Sequence, residues 1–182
     1  MSISTRRGDD GTTRLIYGER VSKASPRVEC VGSIDELGAF LGLARAFAQD
    51  DPLAERLERL QRLLFTAGAL LATAPADRSR LKLTLDAEEV ARLDAEVAEL
   101  EAIPGLLSDW ALPGATPLGS YLDVARTVCR RAERCLVKLT DAGEEDHPHL
   151  PAWLNRLADV LWLYARWYET RTGADGALGA WG

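Results

Sequence analysis

The segment Ala125-Arg126-Thr127-Val128-Cys129-Arg130-Arg131-Ala132-Glu133-Arg134 reads as the middle of a long helix whose pattern opens after Thr116-Pro117 and runs to about Asp141. At roughly 100° of rotation per residue, Arg126, Arg130, Glu133 and Arg134 share one face, together with the apolar Val137. Three guanidiniums and a carboxylate on one stripe require partners if that helix is packed. A solvated face with an i,i+3 Arg–Glu pair would satisfy them. So would a polyanion site in which the carboxylate orients the arginines. The rest of the chain has to choose between the two.

Its 182 residues suit one domain with a proper core. Hydrophobic content of 47% and charged content of 27% are ordinary for a globular protein. The net charge of -6 argues against a general nucleic-acid binder, although a local basic stripe can still hold a phosphate chain. Cys30, Cys129 and Cys135 form no CxxC pair and are odd in number, so reduced thiols and a cytoplasmic location are expected. No apolar leader and no run of about 18 uninterrupted apolar residues occurs, so neither a secretion signal nor a membrane span is expected.

Residues 1–32 read as an extended arm. Thr5-Arg6-Arg7-Gly8-Asp9-Asp10-Gly11-Thr12-Thr13-Arg14 is rich in Gly, Thr and charge, and residues 14–17 carry the only strand signal. Turns at Gly8 and Gly11 would let backbone N–H groups and Thr hydroxyls approach an anion. A Walker loop is absent. The first helix is expected from Ser33, because Ser33-Ile34-Asp35-Glu36 fits a capping box, in which case Asp35 and Glu36 open that helix. Asp51-Pro52 starts the second helix, with its Leu53, Leu57, Leu60, Leu64 and Leu71 face. Asp86 caps the third, with Glu89 three residues on and a stripe of Val90, Leu93, Val97 and Leu100. Thr116-Pro117 starts the fourth. An acidic connector, 141–149, leads to the fifth, Leu150 to Arg171, whose Trp153, Leu154, Leu157, Leu161, Tyr164 and Trp167 point inward. Residues 173–182 read as a flexible tail. The expected fold is all-α: an antiparallel five-helix bundle over 33–172 with an N-terminal arm.

Familiar bundle chemistries fit poorly. A di-iron centre needs Glu-x-x-His motifs on facing helices, and the two histidines, His147 and His149, fall in one loop and read as solvent-exposed. No Cys/His set has zinc spacing, and neither histidine sits in a recognisable setting for a nucleophilic triad. On the fifth helix, Asn155, Arg156 and Asp159 form a polar cluster among leucines, with Asn155 and Asp159 on one face.

The order of these pieces is more informative than any one of them. The Thr5–Thr13 arm, Lys23, Ile34-Asp35-Glu36-Leu37, Leu112-Pro113-Gly114, the Ala125–Arg134 helix and Asn155-Arg156-Leu157-Ala158-Asp159 together resemble the PduO-type ATP:cob(I)alamin adenosyltransferases. The resemblance runs from about Ile3 to Arg166, and the arm and the Cys129–Arg134 segment are its most specific parts.

That resemblance implies a five-helix homotrimer with active sites between subunits. It implies transfer of the 5′-deoxyadenosyl group of ATP to cob(I)alamin, giving adenosylcobalamin and triphosphate. Thr5, Arg6, Gly8, Asp9, Gly11, Thr12, Thr13 and Lys23 would wrap the triphosphate with Mg²⁺. Arg130, Glu133, Arg134 and Asn155 would hold ATP from the neighbouring subunit. Asp35 and Arg126 would bridge subunits near the cobalamin, and Trp110 would lie below the corrin ring. A flavoprotein reductase and a B12-dependent acceptor enzyme are the implied partners. The chain departs from the family pattern at Arg7, Gly38 (commonly Asn), Ala115 (Gly), Asp123 (His) and Ala158 (Ser), several of them on the cobalamin side. A non-catalytic ATP- or corrinoid-binding sensor or carrier is therefore the alternative, while the retained arm argues against a purely structural bundle.

Overall fold

The computed structural model describes Arg6 and residues 8–49, 51–174 and 176–178. Thr5 and Arg7 of the arm motif lie outside the described residues. The arm forms a small hairpin: β1 (Thr12–Arg14) pairs antiparallel with β2 (Arg20–Ser22), placing Thr12 opposite Ser22 and Arg14 opposite Arg20. The ladder starts earlier than the strand signal at 14–17 suggests, because Leu15–Gly18 is the turn. Leu15 N–H donates to Glu19 and Gly18 N–H to Leu15, both at 2.9 Å, with Gly18 at a φ of 99° that favours glycine. Ile16 N–H donates to the Ala72 carbonyl at 3.0 Å, fastening this turn to the bundle.

Helix α1 (Pro26–Ala48) begins seven residues before the expected Ser33. Ser25 is its N-cap, accepting from Val28 N–H, and Pro26 takes the first turn, where its missing N–H costs nothing. Ser33 is buried in mid-helix, and Asp35 and Glu36 are exposed mid-helix residues rather than caps. The arm therefore ends at Ser25. Helix α2 spans Leu53–Leu71, with Asp51 Oδ1 accepting from Leu53 N–H at 2.9 Å, and a 3-10 turn (Pro75–Arg80) follows. Asp86 caps α3 (Ala87–Glu101) by accepting from Glu88 and Glu89, as the capping box requires. Leu93 and Leu100 are its buried residues, while Val90 and Val97 are half-buried. Thr116 caps α4 (Pro117–Asp141), and α5 (Leu150–Thr172) ends at Gly173 in the left-handed conformation.

Five α-helices among the described residues thus form one bundle, α1 packing on α2 and α4, α4 on α5, and α5 on α3. Ion pairs from Arg56 and Arg59 of α2 to Glu89, Glu96 and Glu99 tie α2 to α3. Trp153 and Tyr164 are fully buried among the leucines, whereas Trp167 is half-buried with Arg56 and Arg171 over its ring. The Cys30 and Cys129 thiols are buried and free; burial pushes Cys30 up to about 12 and raises Cys129 as well. Both therefore stay as thiols that donate to helix carbonyls, Cys129 to Leu154 and Cys30 to Ala132. Among the described residues no helix is long and apolar enough to cross a membrane.

Two expectations for the connections are overturned. His147 is not a free loop residue: its ring lies 2.8 Å from the carboxylate of Glu145, and its side chain keeps only 11% exposure. Nor do the described residues after Gly173 trail away. Leu112 N–H donates to the Gly176 carbonyl at 2.8 Å and Leu178 N–H to Trp110 at 2.7 Å, so the chain folds back along the 110–112 loop. Backbone groups of that loop need partners, and the returning segment supplies them.

Candidate active site

Helices α4 and α5 lie side by side, and each carries a stripe at helical spacing: Asp123, Arg126 and Arg130 at i,i+3,i+7 on α4, and Asn155, Asp159 and Trp162 at i,i+4,i+7 on α5. Between them and the 107–110 loop lies a cavity of about 680 Å³. Arg126, Arg130, Asp159, Ala158, Trp110 and Trp162 line it. Its size falls within the range of small-molecule sites. Trp110 is 73% exposed, and its ring meets Trp162 edge to face at 6.5 Å.

The stripe is solvent-facing but organised. Arg130 and Arg134 are exposed, and Glu133 accepts from the Asn155 amide at 3.1 Å, joining two expected site residues across the helix pair. Arg126 is half-buried, its Nε 3.5 Å from Asp123 Oδ1. Arg156 turns away, pairing with Asp94 of α3 and, at 3.2 Å, with Asp159. Arg131 pairs with Glu36 of α1, which occupies that carboxylate structurally.

A second group gathers at the arm. Gly8 lies directly against Lys23: a Cβ there would stand 3.2 Å from Lys23 Cε and Nζ and 3.0 Å from the Thr12 carbonyl. Lys23 N–H donates to Gly11 at 2.9 Å, and Gly11 has a φ of 79°. Asp10, rather than the neighbouring Asp9, is the structural carboxylate. It accepts from the Thr12 hydroxyl at 2.7 Å and backbone at 3.1 Å, and from Arg20 at 2.5 Å. The Thr12 hydrogen bonds, then Arg20, hold Asp10 below the ordinary carboxylate range. Arg6 sits at a φ of 55°, and Asp9 and Thr13 flank this turn.

Asp35 lines a separate groove of about 690 Å³ between α1 and α2, with Gly38, Gln61, Phe65 and Ile16. Phe65 is 80% exposed. Gln61 donates to the Gly38 carbonyl at 2.9 Å, and a Cβ at Gly38 would meet nothing within 4 Å. The two cavities share no lining residue, so within one chain Asp35 and Arg126 line different cavities. Ala115 lies against the returning tail at Gly176.

Several neighbours of the site gain their place only in the folded chain. Trp162 lies on the Asn155–Asp159 stripe, a spacing that could have singled it out. Asp123 precedes Arg126 by one turn on the arginine stripe, and it is buried in an ion pair with Arg166, 2.9 Å away. Arg20 and Asp10 become linked only through the hairpin register. Among the described residues no group of three or more His, Cys, Asp or Glu could hold a metal ion.

The family model for cobalamin adenosyltransferase matches residues 3–168. The chain is 41% identical over 167 residues to the corrinoid adenosyltransferase PduO of Citrobacter freundii, covering 91% of this chain and 49% of that protein. It thus spans about half the length of this relative and of its Salmonella typhimurium counterpart. Over 177 residues it is 39% identical to the Bacillus subtilis corrinoid adenosyltransferase, with 95% of this chain and 89% of that one aligned. Among solved structures, a variant PduO-type ATP:corrinoid adenosyltransferase from Lactobacillus reuteri, complexed with cobalamin and ATP, superposes with a TM-score of 0.87 at 33% identity. That match covers 98% of this chain and 99% of the other. A bundle with this arm, this arginine stripe and these relatives belongs to the cobalamin adenosyltransferase family.

Proposed function

We propose that this chain is an ATP:corrinoid adenosyltransferase that moves the 5′-deoxyadenosyl group of ATP to cob(I)alamin, releasing inorganic triphosphate. The observation that carries the reading is the cavity where Arg130, with Arg126 one turn away, meets the Trp110–Trp162 pair: a cation for a polyphosphate beside an aromatic wall for a large planar ring. The relatives named corrinoid adenosyltransferase, and the Lactobacillus reuteri structure with cobalamin and ATP, support it.

The chemistry asks for alignment more than for acid–base groups. The Co(I) lone pair forms the Co–C5′ bond as the C5′–O bond breaks, and the electron pair leaves on triphosphate. No proton has to be abstracted. The protein must hold cobalt and carbon in line and stabilise charge growing on the leaving group. Arg130 and Arg134 on α4, with Glu133 and Asn155 fixing their surroundings, would hold ATP. Arg6, Gly8, Asp9, Gly11, Thr12, Thr13 and Lys23 would close over the phosphates, with Thr5 beside them. Mg²⁺ would enter on the polyphosphate as part of the substrate. Trp110 would exclude water and a lower axial ligand from cobalt, easing reduction of cob(II)alamin.

Asp35 and the arginine stripe line different cavities of one chain, which supports a site completed between neighbouring chains of a homotrimer. In that assembly Asp35 would meet Arg126 of the next subunit. A flavoprotein reductase upstream, a B12-dependent enzyme downstream and a cytoplasmic setting complete the reading.

The test is anaerobic: protein, ATP, Mg²⁺ and chemically reduced cob(I)alamin, followed by visible spectrum and triphosphate release. Appearance of adenosylcobalamin with stoichiometric triphosphate is the expected result. ATP raising the melting temperature without any conversion would replace the enzyme with a binding protein.

A further inference from the structure

Behind the cavity wall lie three buried charges that the proposed chemistry does not use, Asp123, Arg166 and Glu169, and they reach the half-buried Arg126 of the wall itself. Arg166 of α5 donates from Nε and Nη2 to both oxygens of Glu169, at 2.7 and 2.9 Å, and from Nη2 to Asp123 of α4 at 2.9 Å. The side chains of Arg166, Asp123 and Glu169 are only 4–5% exposed. The other oxygen of Asp123 faces Arg126 Nε at 3.5 Å. Two cations and two carboxylates balance, so the cluster has no charge left over with which to bind an ion. Burial works against the Arg166 charge, yet its bonds to Glu169 and Asp123 keep its pKa raised, so Arg166 stays charged.

Buried ion clusters are poor stabilisers, because desolvation offsets most of the attraction. What such a cluster does well is fix geometry. Here the Arg166 guanidinium lies over the Trp162 ring, 5.4 Å from its centroid, and Trp162 meets Trp110 edge to face. Glu169 is itself confined. A Cβ at Gly119 would stand 2.5 Å from its Oε1, and one at Gly176 would stand 3.1 Å from its Oε2. The first turn of α4 and the returning tail thus both close on this carboxylate.

We infer that Asp123, Arg166 and Glu169 are positioning residues for the corrinoid half of the site. The two carboxylates lock Arg166 beneath Trp162, which sets the Trp110–Trp162 wall, while Asp123 holds Arg126 with its other oxygen. Asp123 is the hinge of the arrangement, since it alone touches both arginines. The inference rests on the adenosyltransferase reading for its kinetic consequence, but not for its structural one.

The experiment therefore reads both, on the full chain. Asp123→Asn removes the charge shared by the two arginines. Arg166→Lys keeps a cation between the carboxylates but removes the planar group over Trp162. Near-UV circular dichroism of the free protein reports the tryptophan pair, with Trp162→Phe identifying its contribution. In the kinetic arm, KM for cob(II)alamin under a chemical reductant is compared with KM for ATP. Both variants are expected to lose the Trp162-dependent signal and to raise the corrinoid KM by about tenfold or more, with the ATP KM within about twofold of the parent. An unchanged tryptophan signal in folded Arg166→Lys, or equal shifts in both KM values, would overturn the inference. Should Asp123→Asn fail to fold, Arg166→Lys decides alone. Should the parent show no turnover at all, the adenosyltransferase reading fails, and the dichroism still decides whether the cluster sets the wall.

Discussion

At the scale of single residues the site divides into groups that touch substrate and groups that hold them. Arg130 is exposed on the cavity, so Arg130→Ala should leave the fold intact while kcat/KM falls by about 10²–10³, the usual loss when one charge-stabilising donor is removed. Steady-state rates alongside a melting curve check this, and normal turnover in a folded variant removes Arg130 from the site. Trp110→Ala should slow the reaction more from cob(II)alamin than from pre-reduced cob(I)alamin, because an aromatic wall acts on the reduction and not on the transfer. Equal losses from the two starting points would reject that role. The shared face of Arg126, Arg130 and Glu133 was legible in the sequence because neighbours on a helix follow from spacing, whereas the Asn155–Glu133 hydrogen bond joins two helices and spacing along one cannot give it. Glu169 and the 176–178 segment were not legible either, since a carboxylate behind the wall and a tail on the Trp110 loop exist only after the chain end has folded back.

Helices were legible where their starts carried one unambiguous cap, as at Asp86 and Thr116. The first helix was misread because Ser33-Ile34-Asp35-Glu36 fits a capping box, while Ser25-Pro26 sits beside a hairpin and precedes the polar core residues Arg27 and Ser33, which dilute the apolar period. Ser25→Ala should therefore lower stability by about 1 kcal/mol in urea melts, the usual worth of such a cap. No loss would mean that the helix is held by packing alone. The α4–α5 connector offers a sharper case. Glu145 is buried, paired with Arg27 and Arg78, and faced by His147, while Arg27 also donates to the Leu71 and Glu144 carbonyls. Burial pushes the Glu145 carboxyl up, but His147 and Arg27 outweigh it and hold it below its usual 4.5. A depressed carboxyl stabilises the fold above its unfolded pKa, and that contribution is lost as pH falls through the folded value. Glu145→Gln should cost about 3–5 kcal/mol at neutral pH by stranding Arg27. Below pH 4.5 the parent should lose stability more steeply than the variant, narrowing the gap between them. Parallel curves from pH 7 to pH 3 would show that Glu145 is not the group titrating.

At the scale of the whole molecule, Asp35 and the arginine stripe belong to different cavities. The arm is fastened to the end of α2 at Ala72, and Asp35 lines the α1–α2 groove beside the exposed Phe65 and Ile16, whereas Arg126 and Arg130 line the α4–α5 cavity. In the homotrimer proposed above, the groove of one copy meets the cavity of the next, and a closed ring serves every copy alike. This predicts complementation between defective chains. Lys23→Ala spoils the arm half and Arg130→Ala the stripe half, so each protein alone should be inactive. Unfolded together in equal amounts and refolded, they should form trimers at random. About three quarters of those trimers are mixed, and each mixed ring contains one interface with an intact arm facing an intact stripe. Activity should return to about a quarter of the wild-type value, in a species whose light-scattering mass is about three times that of the chain. Were both halves supplied by one chain, every chain would carry a lesion, and mixing could restore nothing.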